Sequence, residues 1–518
     1  MSESIKEELS ETAAQKTNSP EALPPLQELQ ELVDQKRLDR VLVRGVAWMA
    51  SIKWATQIAT WGTTLIVARL LDPSDYGLVG MAALYLNFIT LLSDFGLGVA
   101  IVTLQDLTDD QVSQLNGIAL LLGLFGFSIS WVFAHPLALF FKTPKLVMVV
   151  VVMSIGFVIS AFRSVPYALL QKDLRFKLLA GIEGLQGIIS AISTLVLAFL
   201  GFGFWALVLG NLSISVTATA LTLLWRRQRF AWPRFSMIRK ALIYSWHVVV
   251  ARLNFSLYNN SDFIVAGRML GEAPLGAYTL AWNLALAPLE KLTHLVNTVT
   301  PSVFAAMQSD FVGLRRYLRN ITGGLALVIF PATLGMALVA KDFVHLALGS
   351  KWDGAVIPLE LLALHALIRS NVILLTPLLN VIGEERSVMW NSVYNLIALP
   401  AAFYVCSRWG VGGIAAAWVV VYPFLALPLY RHVFEKIHMS PPEYLGSLWP
   451  ALNGCIVMAV VVEALRHILS LAWPLYLRFA LEILVGAGAY TLVLTLLHRD
   501  RLRALLRLAG SFRSQTAH

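Results

Sequence analysis

Apolar runs of about 20–27 residues, separated by short polar segments, follow one another from Arg44 to His498. A helix of that length crosses a ~30 Å hydrocarbon layer and satisfies its own backbone hydrogen bonds there. The pattern predicts roughly fourteen transmembrane helices, at 45–69, 76–103, 112–134, 146–170, 178–200, 203–225, 241–266, 274–300, 320–340, 355–381, 387–407, 411–430, 445–469 and 473–497. The expected fold class is therefore all-α, a polytopic membrane protein. The connections are short and leave no soluble domain in which aqueous enzymology would be housed.

The flanks differ from this pattern. Residues 1–40 form a polar tail, acidic at the start (Glu3, Glu7, Glu8, Glu11), with no basic segment leading into an apolar core, so no signal peptide is expected. Within it, Leu26, Leu29, Leu32 and Val33 make an apolar stripe that suits a short amphipathic helix on a membrane surface. Residues 499–518 interleave Arg499, Arg501, Arg503, Arg507 and Arg513 with leucines, a pattern suited to anionic membrane lipid. Solvated tails without a specific partner are the favoured reading for both ends.

Composition agrees with the membrane reading. Of the 518 residues 57% are hydrophobic and only 14% charged, and the mean hydropathy is +0.69, outside the range of soluble domains. The net charge of +9 raises the question of nucleic acid, but the placement of the charge argues against it. Basic residues crowd alternate loops: Lys172, Arg175 and Lys177; Arg226, Arg227, Arg229 and Arg234; Arg315, Arg316 and Arg319; Arg431 and Lys436. Such alternation sets topology and puts both termini in the cytoplasm. The acidic loop with Asp106, Asp109 and Asp110 dissents, yet acidic residues weigh little in this rule. Cys406 and Cys455 lie inside apolar runs and read as packing residues, with no disulfide framework, metal site or cofactor implied.

A short internal repeat organises the spans. Ile66-Val67-Ala68-Arg69-Leu70-Leu71 leads into Asp72-Pro73-Ser74-Asp75-Tyr76-Gly77; Ile264-Val265-Ala266, then Arg268-Met269-Leu270, leads into Gly271-Glu272-Ala273-Pro274-Leu275-Gly276. Six helices separate the copies, an even number, so the repeats are parallel. The expected organisation is a six-helix lobe over 41–228, a second over 229–436, and two additional helices over 437–498, in a V-shaped transporter arrangement.

Polar residues recur inside the spans, where an ionisable group costs ~2.5 kcal/mol or more and so faces a cavity or a partner. Lys53, Gln57, Thr60 and Thr64 form one stripe on the first span; Asn87, Thr90 and Asp94 form another on the second. The seventh carries Arg252, Ser256, Asn259, Asn260 and Asp262. The eighth carries Asn283, Glu290, Lys291, His294 and Asn297, and the tenth His365 and Arg369. One reading is an aqueous cleft in which Lys53, Arg252, Lys291 and Arg369, helped by Gln57 and Asn259, hold an anionic head group whose lipid tail stays in the bilayer. The other is that Glu290–Lys291–His294 and Arg252–Asp262 neutralise one another as interhelical ties. Asp94, Asp262, Glu290 and His294 are candidates for ion coupling, with structural pairing as the alternative. Arg163 and Glu183 fit either the same cavity or an interfacial place near a helix end.

Other apparent signals carry nothing. Asp94-Phe95-Gly96 matches a kinase triplet without the Gly-rich loop that gives it meaning. The Asp106, Asp109, Asp110 group reads as a solvated loop sooner than a metal site, and no zinc spacing, phosphate-binding Gly loop or nucleophile elbow is present.

Four stretches resemble Wzx-type polysaccharide flippases: Ala68–Leu78, Asp94–Ala100, Tyr167–Phe176, and Asp262–Gly271 with Leu275-Gly276-Ala277-Tyr278. The likeness covers roughly residues 40–435 and is nearest the teichuronic- and colanic-acid exporter branch. That family lies in the multidrug/oligosaccharidyl-lipid/polysaccharide exporter superfamily. The resemblance implies two six-helix lobes, no enzymatic activity, and an inner-membrane flippase. Its expected substrate is an undecaprenyl-diphosphate-linked oligosaccharide, moved by alternating access coupled to an ion gradient. A polysaccharide polymerase and export machinery would be its partners. A drug or metabolite antiporter of the same superfamily, and a membrane-bound polymerase or ligase, are the alternatives. The first should have a smaller, more acidic pocket; the second should have a large outward loop.

Overall fold

A computed structural model describes residues 60–94, 96–104, 107–234, 256, 259–308, 310–469 and 473–499, with the backbone alone at 93, 94, 291, 294–299, 301 and 302. Every regular element among the described residues is helical. In chain order these are α1 (60–70), α2 (Pro73–Asp94), α3 (Leu97–Thr103), α4 (Asp109–Phe141), α5 (Leu146–Lys172), α6 (Phe176–Phe199), α7 (Phe204–Trp225), α8 (Ser261–Leu270), α9 (Glu272–Ala306) and α10 (Phe311–Phe343). After a π turn and a 3₁₀ turn (Ser350–Ala355) come α11 (Val356–Val372), α12 (Leu375–Val381), α13 (Glu385–Cys406), α14 (Gly410–Lys436), α15 (Pro441–Ile468) and α16 (Leu475–Leu497). Among the described residues ten helical runs are long and apolar enough to cross a membrane. One of them, Glu385–Lys436, joins two predicted spans through a single turn at Ser407–Trp409.

The helices follow the apolar runs and overshoot them at polar ends. α4 starts at Asp109 because the Thr108 side chain and Gln111 form a reciprocal capping box. Asp109 and Asp110, the dissenting acidic residues, stand in that first turn, where the helix dipole favours negative charge. Asp310 and Ser440 cap α10 and α15 with single side-chain bonds, accepting from the Gly313 and Glu443 backbone N–H groups. The predicted second span is broken at Gly96, whose φ of 63° is a left-handed conformation that glycine adopts without strain. The predicted tenth span divides into α11 and α12. Spans 45–69 and 241–266 fall mostly outside the described residues, as do both tails.

The same set of helix pairings occurs twice. α4 packs on α5, α6 on α7, α5 on α7 and α2 on α5; correspondingly α10 packs on α11, α13 on α14, α11 on α14 and α9 on α11. The two sets meet chiefly where α2 lies along α9. There the two backbones touch. A Cβ on Gly77 would stand 1.7 Å from the Glu272 carbonyl oxygen, and one on Gly276 would stand 1.7 Å from the Pro73 carbonyl oxygen. Each glycine thus abuts the residue four places before the other, at the repeat detected in the sequence. With no hydrophobic drive between helices in lipid, such close approach supplies the dispersion contact that holds them.

The 3₁₀ turn between α10 and α11 clasps the α1–α2 corner beside this crossing. The buried Trp352 donates from Nε1 to the Ala68 carbonyl at 2.8 Å, one of the last-turn carbonyls that α1 itself leaves open. Its ring meets Tyr76 edge-on, with centroids 5.3 Å apart. Arg69 donates to the Leu346 carbonyl at 3.3 Å, and Lys351 reaches Asp72 at 3.4 Å.

α15 and α16 attach to α10. Arg466 holds the buried Glu482 with two hydrogen bonds of 3.0 Å and also donates to the Leu338 carbonyl. Tyr490 donates to the Leu327 carbonyl at 2.8 Å.

Gly77→Val places methyl groups inside a backbone and should destabilise the protein by at least the ~1–3 kcal/mol typical of overpacking. Gly324→Ala, in α10 where a Cβ meets nothing within 4 Å, should leave stability unchanged or raise it by up to about 1 kcal/mol. Thermal denaturation midpoints of the two variants in detergent separate these outcomes.

Candidate functional site

A hollow of about 270 Å³ opens inside the first set of helices. α2 contributes Asn87 and Thr90, α5 contributes Ser160, Arg163 and Ser164, and α7 contributes Asn211 and Ser215. Spacings of three and four place each helix's polar residues on one face, so three apolar helices turn polar stripes toward a common space. The facing walls of α4 and α5 come together because Gly123 leaves room for Ala161 and the Phe157 carbonyl. A second hollow of about 240 Å³ lies against the break between α2 and α3, lined by Gly96, Gly98 and Val99. The two share Ser160, Arg163 and Ser164.

Arg163 is therefore the charged group between both spaces. Its Nε is buried without a hydrogen-bond partner, and it forms no ion pair among the described residues. The guanidinium carbon lies 5.8 Å from the Tyr167 ring centroid, at the outer reach of cation–π attraction. Tyr167 in turn donates to Glu183 Oε1 at 2.8 Å. Among the described residues no carboxylate lines either hollow.

The second set of helices treats its polar residues differently. The Asp262 carboxylate is fully buried and accepts from Tyr278 Oη at 2.6 Å and Trp418 Nε1 at 2.9 Å. Both donors are neutral, and Oδ1 has no hydrogen-bond partner. His365, also fully buried, lies against Trp418 at 4.6 Å between centroids and against Tyr422 at 5.1 Å. This is a packed aromatic cluster with a polar centre. One turn from Asp262, Asn259 Oδ1 accepts from Arg369 Nη2 at 3.5 Å.

Of the residues singled out in the sequence, the structure brings Arg369 and Asn259 together and buries Asp262. Glu290 is exposed on α9. Asp94 ends α2, and Lys291 and His294 follow Glu290 on α9, with their backbones alone described. Lys53, Gln57 and Arg252 lie outside the described residues. The predicted polar stripe of α2 does face a hollow, through Asn87 and Thr90. Arg163 lines it, while Glu183 lines neither space. Ser160, Ser164, Asn211 and Ser215 escaped notice because serines and asparagines are tolerated singly in apolar helices. Their i, i+4 pairing around Arg163 was the available signal.

A bundle of membrane-length helices, arranged as two matching sets with polar hollows inside the first, defines a multi-span transporter fold. A solved structure titled a lipid II flippase, MurJ, in an inward closed conformation has the same fold, with a TM-score of 0.68, 13% identity, and 88% of this chain and all of that one covered. Residues 66–357 match the polysaccharide biosynthesis protein family, and the chain belongs to it. Among its relatives, the teichuronic acid biosynthesis protein TuaB of Bacillus subtilis is 27% identical over 484 residues, covering 89% of this chain and 97% of TuaB. The lipopolysaccharide biosynthesis protein WzxC of Escherichia coli is 26% identical over 429 residues, covering 78% of this chain and 83% of WzxC.

The Asp262 cluster makes a stability prediction. Asp262→Asn keeps an oxygen for Tyr278 and Trp418 and should shift the melting midpoint little. Asp262→Ala strands the buried Tyr278 hydroxyl at about 1–3 kcal/mol and leaves Trp418 Nε1 only its 3.2 Å bond to Tyr278 Oη, and should lower it markedly. Equal midpoints for the two variants in detergent would contradict the hydrogen-bonding role.

Proposed function

We propose that this protein is a flippase that carries oligosaccharides linked to a lipid diphosphate from the inner to the outer leaflet of the cytoplasmic membrane. One observation supports this reading above others: an arginine in the interior of a membrane-length helix, unpaired with any described carboxylate, facing a polar hollow. In a chain of the polysaccharide biosynthesis family, such a cation in a poorly screened space suits an anionic, hydroxyl-rich cargo. The two sets of helices act as repeat-related lobes, 41–228 and 229–436, with α15 and α16 as an appendage. Both termini face the cytoplasm.

On that topology, the Gly77–Gly276 crossing and the Trp352 clasp lie at the outward end, and they are the contacts that separate when the cargo leaves. Lys53, Arg252 and Lys291 complete the positive lining toward which Arg369 also contributes, and they take the diphosphate. Ion coupling falls to Asp94, Asp262, Glu290 or His294. A polysaccharide polymerase receives the delivered unit.

A drug antiporter, which takes organic cations, is the weaker reading because the described hollows hold a cation of their own. A polymerase is weaker still: most connections between consecutive described helices are a few residues long and offer no platform for catalysis.

Deletion of the gene should leave lipid-linked precursor accumulating on the cytoplasmic leaflet, measured by leaflet-resolved labelling in spheroplasts. Normal outward delivery in the deletion strain would exclude a flippase. Arg252→Ala and Lys53→Ala should each reduce export at least tenfold with the protein still inserted, and wild-type export by both would remove the anion-binding role.

A further inference from the structure

The segment that leaves α7, residues 226–234, has no helical turn and lies along the N-terminal end of α4. Arg226 departs in an extended conformation, with φ −142° and ψ 115°. The Ala231 N–H donates to the Ser113 carbonyl at 3.0 Å, and the Arg234 N–H donates to Gln114 Oε1 at 2.9 Å. The fully buried Asn116 amide donates to the Gln228 and Arg229 carbonyls at 3.3 and 3.2 Å. Gly117 allows this approach, since a Cβ there would stand 2.2 Å from the Ala231 carbonyl oxygen. The segment is thus held through its own backbone, which places its basic side chains without using them.

A hollow of about 610 Å³ lies between the segment and α4, within the about 300–1,000 Å³ of ligand pockets. Its lining carries both signs of charge. Arg227 and Arg229 stand on the segment, Asp109 and Asp110 in the first turn of α4. The third arginine there, Arg226, is taken by Asp173 at 2.8 Å. Arg227 and Arg229 form no ion pair among the described residues. The Asp109 carboxylate has neither an ion pair nor a hydrogen bond among them, and Asp110 accepts from Gln114 Nε2 at 2.7 Å.

Two cations and two carboxylates therefore line one space without bonding to each other. A pure anion would meet the carboxylates there and a pure cation the guanidiniums, whereas a zwitterion is matched on both sides. Exposed Leu224 and Trp225 precede the basic residues, and exposed Trp232 follows them. Tryptophan beside arginine is the composition of a chain at headgroup depth on a membrane surface. Guanidinium forks suit phosphate oxygens, and carboxylates suit a primary ammonium with its three N–H donors.

We propose that this hollow holds the headgroup of a phosphatidylethanolamine molecule of the cytoplasmic leaflet. Arg227 and Arg229 take its phosphate, Asp109 and Asp110 take its ammonium, and the acyl chains enter the bilayer beside Trp225 and Trp232. This lipid is not cargo, and its site shares no residue with the hollows around Arg163. The inference goes beyond the flippase reading and uses from it only the cytoplasmic placement of this end.

The purified full chain in detergent tests it, equilibrated with equal amounts of phosphatidylethanolamine, phosphatidylcholine and phosphatidylglycerol of matched acyl chains. Retained lipid is counted by native mass spectrometry. Phosphatidylethanolamine should be retained about threefold or more over each of the others, the scale of exposed ion pairs. Joint Asp109→Asn and Asp110→Asn should remove its advantage over phosphatidylglycerol, and joint Arg227→Gln and Arg229→Gln should lower retention of both lipids. Phosphatidylglycerol retained as well as phosphatidylethanolamine in the wild type overturns the proposal. So does an advantage over phosphatidylglycerol that survives the aspartate pair, or retention unchanged in the arginine pair. Loss of the preference in EDTA would give the carboxylates to a divalent cation, and displacement by an equal concentration of glycerophosphoethanolamine would give the hollow to a soluble zwitterion; either overturns it. If a double variant melts early, Asp109→Asn and Arg227→Gln alone carry the test, and unchanged retention in both overturns it. The readout does not involve transport: a failed lipid preference leaves the flippase reading standing, and failed outward delivery leaves the lipid site standing.

Discussion

Two helices that touch through their backbones, α2 at Gly77 and α9 at Gly276, fix the geometry on which the remaining helices are arranged. In lipid the apolar side chains gain nothing by leaving solvent, so helices associate through close contact and internal hydrogen bonds. The Gly77–Gly276 crossing gives the closest contact available and places it between the two matching sets. In the first set α4, α5 and α7 pack on α2, and in the second set α8, α10, α11 and α12 pack on α9. The Trp352 clasp then ties the same end with hydrogen bonds to backbone carbonyls and an edge-on ring contact. At one end the two sets are thereby tied by a small number of contacts.

The polar groups divide by how they are compensated. Arg466 and Glu482 are locked together and join α15 to α16, with Arg466 also donating to the Leu338 carbonyl of α10. Asp262 is enclosed by two neutral donors and a wall of aromatic rings, a rigid arrangement that orders the centre of the second set. Arg163 differs from both. Its helix carries it into a hollow where its neighbours are neutral, which leaves its charge available to something that enters. Its buried Nε has no hydrogen-bond partner, which is unfavourable at rest.

The helices were legible because a membrane imposes one rule, a run of apolar residues about 20 long, and the chain obeys it almost everywhere. What the pattern missed were their ends. Thr108, Asp310 and Ser440 begin helices with polar caps that hydropathy reads as loop. The break at Gly96 was hidden for the opposite reason, being flanked on both sides by apolar residues. The repeat was readable in Gly77 and Gly276, although their mutual contact was not, since touching depends on how the two sets are placed in space. The hollow was half legible: Asn87 and Thr90 stood out on one face of α2. Its central charge was ambiguous, because an arginine nine residues from a helix end serves equally well at an interface. Only the convergence of α2, α5 and α7 decides between those uses, and that convergence is a property of three helices far apart in sequence.

Translocation by the purified protein in proteoliposomes is the most direct test of the central claim. A lipid-linked oligosaccharide is placed in one leaflet and followed by a membrane-impermeant sugar-modifying reagent. The account predicts protein-dependent transfer that stops when Asp72→Cys and Lys351→Cys are joined by a thiol cross-linker, in a background with Cys406→Ser. Transfer should return when a reducible cross-linker is cleaved. Substrate that never changes leaflet, or that moves at the same rate with this end locked, would contradict it.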